Sequence, residues 1–446
     1  MLRPKKPWLV VALLLLFGTA TAWLAGCDLA PSPTTPASSP STVTPAPPAE
    51  PPALPTEAVE ATLPAPSTIT LTIWTTEAFS PTQTITSGQI LAQQVAIFED
   101  NHPDVRIQFL LKKPYGKGGI LDFLLTTEAV VPALLPDLVF IDVDELGSAV
   151  QAEAIQPLDD LLLPDLVDDL YPFARQAGTF DGRLYGLQFQ GDLDHLVYNT
   201  GRLTVPPRSW PGVLSNPGPY LFPAGGQAGL VNDDFMIQYL SMRPWPTEDN
   251  PEEPFLETDS LTAVLQFYKD GVSLGVFPAE ILSYHTTDDS WRDYLVGQAA
   301  LAHVAVHRYL AERDQALTSA VAPIPAINGA GSAISRGWAL ALATADPTRQ
   351  SLAVEFMTQL LSPTTNAAWS RAAGYLPTRR AAWANWGDEE DGYTRFLGQQ
   401  LQTAQPRPRV PNYTKVAAAL QEAVEAVLSG TATPEEAAAQ AIQEAQ

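Results

Sequence analysis

The sequence has a single cysteine and few basic residues for its length. With only Cys27 present, no disulfide can form within the chain, so ordinary packing must stabilise the fold. The chain has 25 Lys and Arg residues against 49 Asp and Glu residues, which gives a formal net charge of −24. This charge repels nucleic acid and anionic lipid headgroups, so we expect no nucleic-acid partner. The 446 residues are enough for two or three domains.

The sequence also lacks the short motifs of common catalytic sites. It contains no Gly-x-Ser-x-Gly elbow, no Gly-x-x-x-x-Gly-Lys phosphate loop and no His-Glu-x-x-His zinc motif. His303 and His307 have the spacing of a helical metal site, but their apolar surroundings predict a strand, on which they would lie far apart. Asp192 and Asp194 would lie on one side of a strand, roughly 6 to 7 Å apart, a spacing that leaves a glycosidase open as an alternative. We expect no metal and no cofactor.

The N-terminus has the features of a secretory signal. Arg3, Lys5 and Lys6 precede the apolar run Trp8–Phe17, which is too short to span a bilayer comfortably. Leu24-Ala-Gly-Cys27 then resembles a bacterial lipobox, in which the bond before the cysteine is cleaved and the thiol is lipidated. This pattern predicts a signal peptide over residues 1–26 and lipidation of Cys27, the alternative being a chance cysteine at the end of the signal.

A proline-rich segment follows the cysteine. Residues 31–66 contain 12 prolines in 36 residues and are otherwise mainly Ala, Ser, Thr and Glu. Such a composition favours polyproline II at roughly 3 Å per residue, so residues 27–66 could form a tether on the order of 100 Å long. Disorder without a spacing role is the alternative.

Strand and helix patterns alternate in the first folded segment. Ile69–Trp74, Val105–Leu111 and Leu138–Ile141 have strand patterns, while Gly88–Asn101 and Ile120–Val130 have helical spacing. This alternation predicts a doubly wound α/β lobe with ligand sites beyond the carboxyl ends of its strands.

The later elements depart from this alternation, and some of the strands could pass between lobes. The predicted strands are Leu184–Phe189, Leu193–Tyr198, Ala300–Val306 and Gly337–Ala343. The predicted helices are Leu261–Val272, Thr348–Leu361, Tyr393–Leu401, Thr414–Leu428 and Pro434–Glu444.

Several of these segments, taken together, resemble family 1 of the bacterial extracellular solute-binding proteins, the sugar-binding lipoproteins that serve ABC importers. The resemblance runs in order from about Ile69 to Gln446. The matching segments are Ile69–Trp74, Phe98–Val105, Pro136–Asp144, Gln156–Leu161, Asp181–Leu187, Val197–Asn199, Trp291–Ala305, Ala322–Pro325, Gly337–Trp338, Ser362–Pro363 and Gly374–Pro377.

The resemblance implies an α/β, two-lobe periplasmic-binding-protein-like fold of type II. Each lobe would be a mainly parallel sheet flanked by helices, with lobe 1 over residues 67–192 and 320–362 and lobe 2 over residues 193–319 and 363–446. Crossing strands would join the lobes, which would close over a sugar or similar polar solute. The implied protein is a monomer, not an enzyme, anchored by lipid to the outer face of the cytoplasmic membrane and partnered by importer permease subunits. A surface-tethered carbohydrate-degrading enzyme and a ligand-binding partner of a membrane sensor are the alternatives.

The candidate ligand-binding residues lie at strand ends and at the expected crossing, where aromatic faces and planar polar groups could hold a sugar. They are Trp74, Glu77, Asp142, Asp144, Gln188, Gln190, Asp192, His307, Arg336, Trp338, Arg371 and Tyr375. Core packing is the alternative for the two tryptophans, and helix capping is the alternative for Asp144.

Two segments depart from the family pattern. Ser335-Arg336-Gly337-Trp338 stands where family members often have Gly-Gly-Trp, and Val306-His307-Arg308-Tyr309 replaces small or aromatic residues. Both departures bring cationic groups towards the expected cleft, so an acidic sugar or another anionic solute stays open. Surface ion pairing is the alternative role for His307, Arg308 and Arg336.

Overall fold

The structure is a computed structural model that describes residues 68–216, 218–243, 255–329, 331, 333–388, 390–410 and 412–445. The predicted signal peptide over residues 1–26, the lipidation site at Cys27 and the tether over residues 27–66 lie outside these residues. Among the helices of the described part, none combines the length and the apolar content that crossing a bilayer requires.

The strands of the described part are short and spread over the whole chain. They are β1 (Ile69–Thr75), β2 (Val105–Leu111), β3 (Leu138–Asp142), β4 (Thr179–Phe180), β5 (Arg183–Leu184), β6 (Gly186–Asp192), β7 (Asp194–Asn199), β8 (Tyr220–Leu221), β9 (Leu301–Ala305), β10 (Ser319–Ala322), β11 (Ile334–Leu342) and β12 (Gln405–Pro406).

The α-helices fill the intervals between these strands and dominate the C-terminal third. They are α1 (Thr86–Asn101), α2 (Ile120–Val130), α3 (Leu146–Gln151), α4 (Pro164–Asp168), α5 (Pro172–Gly178), α6 (Trp210–Leu214), α7 (Asp233–Leu240), α8 (Thr258–Ser273), α9 (Thr287–Leu295), α10 (Val306–Glu312), α11 (Pro347–Leu360), α12 (Pro363–Ala373), α13 (Arg380–Trp386), α14 (Gly392–Thr403), α15 (Tyr413–Leu428) and α16 (Pro434–Ala445).

The first sheet has the order β12-β11-β3-β1-β2, and β6 also pairs with β11. β1 is parallel to β2 and to β3, as the alternation of strands and helices predicted. β11 runs antiparallel to both β3 and β6, and its register places Trp338 opposite Asp142. The carboxyl end of β3 therefore meets the middle of β11 at one edge of the sheet.

The second sheet has the order β10-β7-β9-β8. Only β8 and β9 are parallel, since β7 is antiparallel to both β9 and β10. The expectation of a mainly parallel sheet is therefore wrong for this half. The reason is the chain path: β7 leaves the first sheet, whereas β9 and β10 run back towards it.

The chain passes directly from the first sheet to the second. β6 ends at Asp192 and β7 begins at Asp194, with the buried Leu193 between them. The chain returns between β10 and β11, and it leaves again after β12 for α15, where Gln421 Nε2 donates to the Ala224 carbonyl at 3.0 Å. Each sheet is thus assembled from separated segments of the chain.

The predicted lobe limits do not follow every contact. In α12, placed in lobe 2 from the sequence, Trp369 stacks on Phe79 at 5.4 Å and Asn366 donates to the Phe189 carbonyl, so this helix packs against the first sheet. β10, placed in lobe 1 except for its first residue, pairs with β7 of the second sheet. The lobe limits stay a prediction.

β6 and β11 approach each other closely at Gly337. A methyl group at this position would lie 2.0 Å from the Gln190 carbonyl oxygen. We therefore expect Gly337→Ala to lower the free energy of unfolding by about 3 kcal/mol in urea titrations. Gly392→Ala is the control, because a methyl group there meets nothing within 4 Å. Equal urea midpoints for the two variants would mean that β6 and β11 can move apart at Gly337 without loss of stability.

Candidate ligand-binding cleft

A cleft of about 330 Å³ lies where β6 passes into β7. Its lining comes from both sheets and from the helices beside them. Asp192 ends β6, Asp194 begins β7, Arg336 lies on β11, Asp233 begins α7 and His307 lies in α10.

A larger hollow, of about 1010 Å³, lies at the opposite edge of the first sheet. Its lining includes Asp137, which precedes β3, and Thr344, which follows β11. Ligands of α/β sheets bind beyond the carboxyl ends of the parallel strands, and Asp137 lies at the amino end of β3. The cleft is therefore the better candidate.

Arg336 lies at the centre of the cleft and is surrounded by aspartates. Its two terminal nitrogens donate to the two carboxylate oxygens of Asp194 at 2.7 Å each. Asp233 lies 3.3 Å away and Asp192 3.8 Å away. Burial opposes the charge of Arg336, but these aspartates outweigh it and raise the pKa of the guanidinium well above its ordinary value. Arg336 is therefore a permanent, neutralised cation.

Asp192 and His307 form a second ion pair. The Asp192 carboxylate accepts from His307 Nδ1 at 2.8 Å and from the His307 backbone N–H at 3.2 Å. Burial would raise the pKa of Asp192 and lower that of His307, but their mutual contact reverses both shifts. The pKa of Asp192 is lowered and that of His307 is raised.

The His307 pair gives a prediction that NMR can check. We expect the His307 imidazole to titrate above the ordinary value of about 6.5. In Asp192→Asn the attraction is lost and burial dominates, so the pKa should fall below that value. The ion pair of His307 contributes fully to stability below the pKa that this imidazole has in the unfolded chain. The contribution is lost as the pH rises through the higher pKa of the imidazole in the folded protein. An imidazole pKa that does not change in Asp192→Asn would contradict the pairing.

Arg407 joins the first sheet to the second half of the molecule. Its Nε and one terminal nitrogen donate to Asp233 on α7 at 2.8 and 2.9 Å. The other terminal nitrogen donates to Asp144, which follows β3. Arg407 follows β12, at one of the passages of the chain between the sheets, so this side chain links both sides of the cleft.

The end of β3 supplies aromatic and acidic groups. Asp142 accepts from the Tyr115 hydroxyl at 2.5 Å, and the Tyr115 ring lies 5.8 Å from that of Trp338. Burial raises the pKa of Asp142 and raises that of Glu145 to about 7. The Glu145 Oε2 atom is buried and accepts no hydrogen bond from any described residue.

Gln188 and Gln190 are buried in β6, with 1% and 4% of their surface exposed. Gln188 Nε2 donates to the backbone carbonyls of Gln190 and Arg336 at 3.2 and 3.3 Å. The side-chain oxygens of both glutamines have no partner among the described residues. These two acceptors lie just before Asp192 in the chain.

Three predicted ligand contacts are engaged elsewhere. Trp74 is 6% exposed and packs in the core, with Lys112 Nζ 4.9 Å from its ring centre. Glu77 is exposed and accepts from Gln83 at 2.9 Å. Arg371, on the surface of α12, donates to the Asn385 carbonyl at 2.8 Å. Their role as ligand contacts stays a prediction.

Tyr375 and Arg308 lie beside His307. The Tyr375 ring is 5.3 Å from the His307 ring and is parallel to the Trp369 ring at 6.5 Å. Arg308 donates to both oxygens of Asp288, at 2.9 and 2.7 Å. The cations that the sequence placed near the cleft are thus paired with carboxylates.

His303 belongs to a buried polar chain beneath the cleft. It lies in β9, as the sequence predicted, whereas His307 lies beyond the strand in α10. The His303 imidazole bonds to Asp234 on one side and to the Tyr220 hydroxyl on the other. Within the described residues, no group of three or more side chains is arranged to hold a metal ion.

The sequence did not point to Asp233, Arg407 or Tyr115 as site residues. Asp233 follows Asn232 at a helix start, a position at which acidic residues are common without any ligand. Arg407 stands between Pro406 and Pro408, and that rigid setting was its only distinctive signal. Tyr115 lies in the glycine-rich turn before α2, a pattern that predicts a loop and nothing more.

This fold and this cleft agree with the family match. The family described as bacterial extracellular solute-binding protein matches residues 93–390. The chain belongs to this family.

Individual relatives are more distant. The maltotriose-binding protein of Pyrococcus abyssi is 24% identical over 230 residues. The matched region is 50% of this chain and 48% of that protein, so the chain spans about half the length of this relative.

Solved structures show the fold. The cyclic α-maltosyl-1,6-maltose binding protein of Arthrobacter globiformis has a TM-score of 0.69 at 19% identity, covering 85% of this chain and 98% of that one. The maltotriose-bound maltotriose binding protein of Thermus thermophilus has a TM-score of 0.62 at 18% identity, covering 84% and 98%. An α-D-tagatose-bound ABC transporter solute binding protein from Thermotoga lettingae has a TM-score of 0.64 at 21% identity, covering 85% and 99%. The chain therefore has the two-lobe α/β fold of type II binding proteins.

Proposed function

We propose that this chain captures a saccharide in the cleft and delivers it to permease subunits of an ABC importer. The observation that carries the proposal is the cleft itself, which is polar and receives side chains from both sheets. Outside the residues that line the cleft, the Tyr115 and Trp338 rings beside Asp142 offer the flat apolar faces that sugar C–H surfaces need. The structural relatives support the same ligand class, because they include binding proteins for maltosaccharides and one bound to tagatose.

The proposed mechanism is closure of two halves over the ligand. A solute that contacts both sheets gains its full set of contacts only when they are close, so it favours the closed arrangement. Calorimetry with maltotriose and tagatose, paired with small-angle scattering, tests this. We expect binding together with a smaller radius of gyration. Binding without compaction would contradict closure, and no binding across a wider panel of saccharides would contradict the ligand class.

We also propose how the protein is exported and anchored. Residues 1–26 would direct export, Cys27 would carry lipid, and residues 27–66 would hold a monomeric binding domain outside the cytoplasmic membrane. Metabolic labelling with an alkyne fatty acid should mark the wild-type chain and not Cys27→Ala. Label retained by that variant would contradict anchoring at Cys27.

We also propose that the cleft has no glycosidase activity. The carboxylates of Asp192 and Asp194 are bound to His307 and Arg336, so neither is placed as a free acid or base. Chromogenic glycosides should show no turnover. Turnover that disappears in Asp194→Asn would instead establish the enzyme alternative.

A further inference from the structure

We propose that Asp194 and Asp233 set the charge selectivity of the cleft, by occupying Arg336 and Arg407 so that anionic saccharides are excluded. This inference rests on the proposed function and narrows its substrate class to saccharides without net negative charge. It reverses the simplest interpretation of the sequence, in which cationic residues near the cleft kept an acidic sugar as a possible ligand.

The first support is that carboxylates of the protein already pair with both guanidinium groups. Arg336 uses both terminal nitrogens on Asp194, in the paired geometry that a ligand carboxylate would otherwise adopt. Arg407 uses its Nε and both terminal nitrogens on Asp233 and Asp144. A ligand carboxylate that took this paired geometry on Arg336 would have to displace Asp194, which would then be left buried and unpaired.

The second support is the excess of negative charge around these pairs. The residues that line the cleft include five aspartates and two arginines. The aspartates are Asp192, Asp194, Asp233, Asp234 and Asp288. His307 is already paired with Asp192, and Arg308 is paired with Asp288 beside the cleft. Among the described residues that line the cleft, both arginines and His307 are therefore already paired with carboxylates when an anion enters.

Asp233 is the position at which the selectivity should change most. It is 5% exposed and touches both arginines, so Asp233→Asn keeps the side-chain volume while releasing part of each guanidinium group. Both arginines keep about three tenths of their side-chain surface exposed, 31% for Arg336 and 27% for Arg407, so a ligand in the cleft can reach them.

The test uses the full chain in detergent and two probes, neutral maltotriose and anionic digalacturonate. By calorimetry, the wild type should bind maltotriose at least about tenfold more tightly than digalacturonate. Asp233→Asn should bind digalacturonate at least about tenfold more tightly than the wild type does, because a freed cation meets the ligand carboxylate. If this variant fails to fold by circular dichroism, Asp194→Asn takes its place.

The control is Asp169→Asn, which makes the same change in net charge away from the cleft. Asp169 accepts from Arg379 Nε at 2.8 Å and is not among the residues that line the cleft. Digalacturonate binding should not improve in this variant. An equal improvement would show a general charge effect and overturn the proposal.

The remaining outcomes separate this inference from the proposed function. If no neutral saccharide binds but Asp233→Asn gains digalacturonate, the proposed function fails and the charge filter stands. If the wild type binds digalacturonate as tightly as maltotriose, the charge filter is wrong and saccharide capture stands. If neither folded aspartate variant gains affinity for digalacturonate, the charge filter is also wrong.

Discussion

Replacing Arg336 with glutamine is expected to lower the free energy of unfolding by about 3 kcal/mol near neutral pH. Asp192, Asp194 and Asp233 are only 7%, 3% and 5% exposed, and all three lie within 4 Å of this guanidinium. Glutamine is shorter than arginine and carries no charge. It would leave buried carboxylates beside one another with too few cations.

The pH dependence separates lost charge from lost packing. Burial would raise the pKa of Asp233, but Arg407 and Arg336 hold it below its ordinary value. In the wild type this carboxyl stabilises the fold above its unfolded pKa of about 3.9, and the contribution is lost as the pH falls through the lowered value. In Arg336→Gln the aspartate pKa values should rise. The difference in the free energy of unfolding between variant and wild type should therefore be smaller at about pH 5 than at about pH 7.

Urea unfolding at both pH values measures this effect, and Arg308→Gln is the matched control. Arg308 also contacts two carboxylates, but Asp288 and Glu312 are 38% and 28% exposed. Exposed pairs contribute about 1 kcal/mol or less, so the control should lose little. Equal losses in the two variants, or a gap that does not change with pH, would contradict the assignment of Arg336 as a buried counter-ion.

Replacing Arg407 with glutamine should shift the molecule towards a more open arrangement. Its hydrogen bonds to Asp144 and Asp233 connect the end of β3 with α7 across the cleft. Losing these charge-assisted bonds costs the closed form about 2 kcal/mol, a shift of about 30-fold in the equilibrium between the two arrangements. The fold itself should survive, because each sheet keeps its own core.

Fluorescence energy transfer can measure the opening. Leu163 and Val296 are 73% and 69% exposed, and Cys27 is the only cysteine in the sequence. Leu163 lies between β3 and β6 of the first sheet, and Val296 follows α9, which packs beside β9 of the second sheet. In a Cys27→Ala background, dyes at Leu163→Cys and Val296→Cys should show lower transfer after Arg407→Gln. Arg349→Gln is the control. Arg349 pairs with Asp137, which precedes β3 of the first sheet, so this ion pair does not connect the two sheets. Unchanged transfer would mean that Arg407 does not hold the halves together.

Local patterns predicted most of the fold. β2 and α2 have the bounds that alternation and helical spacing gave, because each is largely determined by its own residues. The direction of the strands in the second sheet and the place of α12 were not predictable in this way. They depend on where the chain crosses between sheets and on which sheet buries Trp369, and neither is a local property.

The site was predictable only where strand ends determine it. Asp142, Asp192 and Arg336 follow from the carboxyl end of β3 and from the crossing at β6. Asp233 and Arg407 are 174 residues apart, and no local periodicity indicates that they pair. The sequence also showed His307 and Arg336 as cations without showing their carboxylate partners, so it could not give the net charge of the cleft.

The repeated passage of the chain between the sheets limits how this protein can be divided. β11 lies between β3 and β6, yet it enters the chain about 140 residues after β6. A fragment that stops at Asp192 would expose the ladder edges of both β3 and β6, which are prone to aggregate. A domain-swap design between homologues would need matched junctions at every passage, and a single splice would leave both halves incomplete.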